Sequence, residues 1–236
     1  MTITYAQLKA KFERDLDLED ELFIQDTELM EIFNDGIREA EGVIHKLGIE
    51  EIYFLEYDNP AVVSGTAEYT MPTTIYANKF VKCIYNDGNR VFPIKENKGK
   101  YKFETIAINN NTQFSQPIYR YYIRNSYTNH TTMSVKWGLT PTPTETSSTR
   151  FTRWFIRKAN VLSATTSVCD LPDACLNFLY AYAAWRVWGK EGDGRATEAE
   201  KEKDMQKQSM IENLSDMTPD EENEVEMDIS TYEDMS

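Results

Sequence analysis

The stretch CDLPDACLNFLYAYAAWRVW, Cys169 to Trp188, sets the tightest limit on what this chain can fold into. Between Ala174 and Trp188 only Asn177 and Arg186 interrupt a run of Ala, Cys, Leu, Phe, Tyr, Val and Trp, so a helix made of it is apolar on nearly every face. Such a helix has to be surrounded by protein. At a rise of about 1.5 Å per residue it is roughly 24 Å long, short of the ~20 apolar residues a bilayer demands, and Arg186 near its end is a poor lipid residue. The stretch therefore reads as a core or subunit-contact helix, with Leu176, Leu179, Tyr182, Ala183 and Trp185 as its packing residues. Pro172 and Asp173 mark its start, the proline by pre-setting φ and the carboxylate by capping free N–H groups. Gly189, Gly192 and Gly194 mark its end.

Two amphipathic helices come before it. Tyr5, Leu8, Phe12 and Leu16 recur at helical spacing over residues 4–16, and an acidic linker, Asp17 to Glu21, follows. Residues 26–47 carry the clearest stripe, Leu29, Ile32, Phe33, Ile37, Ala40, Ile44 and Leu47, with Asp26 as cap and Gly48 as stop. From Glu51 the apolar period changes to two. Strands are predicted at Glu51–Tyr57, Thr66–Met71, Phe80–Tyr85, Tyr101–Ile108, Ile118–Arg124, Met133–Trp137 and Phe151–Lys158. Asn86-Asp87-Gly88-Asn89 predicts a hairpin with a type I′ turn, and the Asn-, Thr-, Ser- and Pro-rich joins Asn109–Gln116 and Thr140–Thr149 predict loops. After the apolar helix, Arg195 to Leu214 predicts a polar helix dense in Glu and Lys. The expected class is α+β. About four helices, 4–16, 26–47, 173–188 and 195–214, form a bundle from residues 1–50 and 166–214. An antiparallel β domain, 51–165, is inserted, and the acidic tail 215–236 is disordered or extended.

Charge and chemistry narrow the function. The formal charge is −14 and the pI near 4.7, which disfavours nucleic-acid gripping as the main activity. Residues 216–236 hold nine Asp and Glu and no Lys or Arg, so the rest of the chain carries only −5. In Tyr119–Arg124 bases alternate with aromatics as in single-strand binders, but this is equally the look of a solvated strand face. Cys83, Cys169 and Cys175 form no C-x-x-C pair, and three thiols fit a reducing compartment. The first residues, MTITYAQLKAKFERD, become charged before any apolar run forms, which predicts no signal peptide and no glycosylation at Asn110 or Asn129. His45 and His130 are too far apart to hold a metal alone, and Gly189 to Gly194 lacks the order of a phosphate-binding loop. Glu56, Asp58 and Glu68 are the carboxylates that an enzymatic reading would use. No catalytic residue, cofactor or metal ligand is expected.

The order of parts carries a resemblance. A helix pair with QDTELMEIFNDGIREAE, strands approached through GTAEYTMP, a hairpin at YNDG, Leu-Pro-Asp leading into an apolar Ala/Tyr/Trp helix, a GDGRA corner and a charged last helix together resemble the head-to-tail adaptors of tailed bacteriophages. The likeness spans most of residues 4–214 and is nearest to podovirus-like adaptors whose helical bundle carries a β insertion. It implies a non-enzymatic virion protein of the neck, made in the host cytoplasm. Its copies would form a ring, of about twelve subunits, that joins portal to tail or nozzle proteins, with no membrane contact and with DNA only passing through. A different neck or tail-completion ring protein is the alternative, and a carbohydrate- or wall-active enzyme a more distant one. In the acidic tail Val225, Met227 and Ile229 alternate, with Tyr232 beyond, so they can face one way as an added strand. The resemblance makes the portal the favoured receiver.

One outcome follows from the apolar helix alone. Ala183→Asp places an unpaired carboxylate in the core at a cost of several kcal/mol, much of a domain's net stability. Chemical denaturation of the variant should show that loss; a stable Ala183→Asp protein would mean that this face is open to water.

Overall fold

The structure, a computed structural model, describes residues 3–16, 24–97, 119–128, 132–192 and 194–216. In chain order the elements are β1 (Ile3–Thr4), α1 (Tyr5–Asp15), α2 (Asp26–Leu47), α3 (Glu50–Phe54), β2 (Leu55–Asp58) and β3 (Glu68–Thr70). Then come β4 (Ile75–Asn86), β5 (Val91–Glu96), β6 (Arg120–Thr128), β7 (Thr132–Thr140) and β8 (Phe151–Arg157). The described chain closes with β9 (Val168–Cys169), α4 (Leu176–Glu191) and α5 (Arg195–Ser215). The class is α+β, in two compact units: Met1–Ile49 with Val161–Ser236, and Glu50–Asn160.

In the first unit α1 starts on a capping box, Thr4 and Gln7 each accepting from the other's backbone N–H. Tyr5 and Phe12 bring their rings edge-on to Phe33 of α2, with centroids at 6.2 and 5.6 Å, and Phe33 meets Tyr180 of α4 at 6.4 Å. Close packing of α2 on α4 depends on Gly36, where a Cβ would stand 3.1 Å from both Leu179 Cδ2 and Tyr182 Cδ1. The charged α5 lies along α4 and touches α2, burying Met210 and Leu214, and its Lys207 reaches Glu39 at 2.6 Å.

Two links join distant parts of the sequence in this unit. β1 pairs with β9, Ile3 opposite Cys169. Asn34 on α2 donates through Nδ2 to the Leu162 carbonyl at 2.9 Å and accepts from the Leu162 N–H at 2.8 Å. Both ends of that exchange are buried, so each group would otherwise carry its full desolvation cost.

The second unit is a curled seven-stranded sheet in the order β2-β8-β4-β5-β6-β7-β3. Its inner face packs Trp137, Leu139, Phe151, Phe155, Cys83 and Ile94. Among these lies a charge. Arg153, 3% exposed, forks onto the Asp58 carboxylate, stacks over Trp137 at 5.0 Å and reaches Met71 Sδ at 3.3 Å. At the other end of the sheet Tyr122 lies flat across Gly138, where a Cβ would fall 2.1 Å from the ring, and its hydroxyl donates to Glu68 at 2.9 Å.

Several expectations change. Glu51–Phe54 is helical, not extended: Gly48, at φ +73°, ends α2, Glu50 and Glu51 then sit in the first turn of α3, and Phe54 turns into the interior. Strand-like composition yields there to the burial of one ring. The sheet is not wholly antiparallel, because β5 and β6 run parallel with Lys95 opposite Arg120. The 86–89 turn does join a hairpin, but only Gly88 takes positive φ; Asp87 instead accepts from the Asn89 and Arg90 N–H groups, so the turn is not type I′. Asp26 is not the cap of α2, which Gln25 occupies; its carboxylate accepts from Tyr5 Oη at 2.9 Å and Lys9 Nζ at 2.8 Å. The apolar helix begins as a 3-10 turn, Asp173–Cys175, without a side-chain cap, and runs through Gly189 to stop at Gly192. The linker 17–21, strand 101–108, loop 109–116, Asn129, His130 and the tail from 217 lie outside the described residues.

The buried arginine makes a measurable demand. Asp58→Ala leaves the guanidinium uncompensated and should cost about 3–5 kcal/mol in urea unfolding, whereas replacing both members by apolar residues should cost less.

Candidate functional site

The surfaces a binding protein offers are built here by α4 and by the sheet. On α4, Leu179 and Ala183 are fully buried and Tyr182 nearly so, held between α2 and α5. Leu176 and Trp185 are only half-buried. Trp185 carries Lys203 Nζ 4.2 Å over its ring and meets Tyr182 at 5.6 Å. It also lines an open cleft of about 500 Å³ with Glu28, Glu31, Ile32 and Asp35 of α2. A smaller cleft of about 270 Å³ lies beside Phe12, Asn177 and Tyr180. The docking candidates Val225, Met227, Ile229 and Tyr232 lie outside the described residues.

The carboxylates an enzyme would use are engaged otherwise. Asp58 is taken by Arg153, and Glu68 accepts from Arg124 Nε at 2.7 Å, Arg124 Nη2 at 2.5 Å and the Tyr122 hydroxyl. The Arg124 hydrogen bonds hold the Glu68 carboxyl below its usual range against the opposing effect of burial, so it stays ionised instead of carrying a proton. Glu56 is exposed on β2. His45 is half-buried near the end of α2. Among the described residues no group of three or more His, Cys, Asp or Glu is placed to hold a metal ion, and no helix is long and apolar enough to cross a membrane.

Charge is divided between the units in a way the overall −14 conceals. Residues 50–160 hold fourteen Lys and Arg against nine Asp and Glu, a formal +5, and the remaining residues carry −19. Sequence reasoning that split off only the tail missed this division; counting charges on either side of residues 50 and 160 would have found it.

Helices that pack around α4 and a mixed sheet make up the described fold, and the matched family model makes the protein a phage structural adaptor. The chain belongs to the family described as SU10 adaptor protein, whose model matches residues 3–224. That family is structural and not enzymatic, and its members are components of the virion. No curated protein matches the chain.

The three thiols are the reactive groups whose state the structure predicts most directly. Burial pushes Cys83 and Cys175 up to about 12 and raises Cys169. A raised thiol pKa leaves the neutral form dominant throughout the physiological range, so a thiol reagent at pH 8 should label none of the three in native protein and all three after unfolding.

Proposed function

We propose that copies of this chain form a closed ring that joins the portal of a bacteriophage capsid to the tail machinery. The observation that carries the reading is the family match, which runs from residue 3 to 224 and so includes both units. The likeness to podovirus-like adaptors favours about twelve copies, a closed cyclic arrangement in which one patch meets a different patch on the next copy. Residues 1–50 and 166–214 are the ring-forming bundle, and 51–165 is a β insertion. Half-buried Leu176 and Trp185 are where α4 retains surface for a neighbour, whereas Leu179, Tyr182 and Ala183 hold the subunit together. Portal and tail proteins are its partners, DNA passes through the ring, and the working location is the neck.

Electron microscopy of the protein mixed with its portal should show a ring of about twelve copies seated on one end of the portal. A protein that stays monomeric at high concentration and leaves the portal bare would overturn the reading.

A further inference from the structure

One row of side chains crosses five consecutive strands on the outer face of the β unit. Tyr57 of β2 stands opposite Trp154 of β8, and Trp154 opposite Lys82 of β4. Carrying the β4/β5 register one residue past Cys83↔Ile94 sets Lys82 beside Lys95, and Lys95 faces Arg120 across the parallel β5/β6 pair. At about 4.8 Å between strands the row is roughly 19 Å long. Tyr57 is 64% exposed, Trp154 half-buried, and the three cations exposed. The side chains alternate inward at Cys83, Ile94 and Tyr121, all buried in the core, so the row belongs to the opposite face.

The row is graded along its length. Its β2 end is apolar, the Tyr57 and Trp154 rings lying 6.3 Å apart with Lys82 Nζ 4.9 Å over the tryptophan. Its β6 end is a run of like charges on neighbouring strands, an arrangement that is destabilising when left alone. Among the described residues none of Lys82, Lys95 and Arg120 has an ion-pair partner, in contrast to Arg124, which Glu68 neutralises. Such a row fits an anionic segment that turns apolar at one end.

The chain holds one. α5 ends at Ser215, and residues 217–236 carry eight Asp and Glu with no Lys or Arg. Six of those acids fall between Asp220 and Asp228, while Val225, Met227, Ile229 and Tyr232 bring the apolar groups toward the far end. Nine residues in extended form reach roughly 30 Å, enough to cover the row. We propose that residues 217–236 of one copy lie across the Tyr57-Trp154-Lys82-Lys95-Arg120 row of a second copy, in place of the portal that the resemblance favours, a contact that rests on the homo-oligomer proposed above. The acids neutralise the cations, and the apolar residues pack against the two rings. Charge supplies most of the attraction, so the contact weakens with salt, and the closed ring repeats it once per copy.

Heavy-isotope and ordinary full-length protein, mixed and treated with a zero-length carboxyl-to-amine coupling reagent, test this directly. Heavy–light links should join acids of 217–236 to Lys82 or Lys95, and Arg120→Glu, which removes no coupling site, should reduce them roughly tenfold without lowering the unfolding midpoint. A labelled 217–236 peptide should bind the full-length protein and lose that binding in Arg120→Glu. Links confined to one copy, links to other lysines, or links that form only once portal is added overturn the proposal. Binding of a short DNA duplex that is sensitive to Arg120→Glu, without tail links, assigns the row to phosphates and overturns it too. A ring without heavy–light tail links removes the docking alone. Monomers whose row still binds the peptide remove the ring and support the docking.

Discussion

A single buried amide governs how the helical unit closes. Asn34 exchanges two hydrogen bonds with the backbone of Leu162, 128 residues further along, and both residues are shielded from water. An apolar residue in place of Asn34 could fill the volume but would leave a buried N–H and C=O unpaired, which hydrophobic contact does not offset. The amide therefore specifies where the chain returns after its long excursion, and the β1/β9 pairing fixes its direction a few residues later. Leu171 and Cys175, both buried, then lead into α4. The position of the most apolar helix is thus set by polar contacts made before it begins.

The β unit meets the same problem with an ion pair. Its strands come from segments far apart in sequence, and Arg153 on β8 gathers Asp58 of β2, Trp137 of β7 and Met71 beyond β3 around one guanidinium. Five donors in a planar fork can satisfy a carboxylate, a ring face and a sulfur together, which a lysine in the same place could not do. The adjacent glycine has a complementary role: Gly138 gives up its side chain so that Tyr122 can lie over the strand and reach Glu68.

Helical period carried most of what was legible. α2 runs from Asp26 to Leu47 as its stripe predicts, and the apolar run at 174–188 is indeed enclosed at Phe178, Leu179, Ala183 and Val187. Strand composition was less reliable, since Ile52, Tyr53 and Phe54 have the residue types of a strand but follow a helix stop and bury only the last ring. Pairing was not legible at all: nothing local tells Lys95 that it lies parallel to Arg120, or Asn34 that it meets Leu162, because those contacts depend on chain far away. Family membership came from the order of parts. The cross-strand row needed register, which no single segment contains.

A phage particle is assembled in a reducing cell and then spends its existence outside it. Many proteins change covalently on that passage. In this chain Cys83, Cys169 and Cys175 are sealed in two separate cores, Cys83 in one unit and the other two in the other, with every thiol held in its neutral form by burial. Without an exposed thiolate, disulfide exchange lacks its nucleophile. Whatever stiffness this adaptor adds to the particle comes from contacts between folded surfaces and not from disulfides formed after release, so its packing is the same before and after the host cell breaks open.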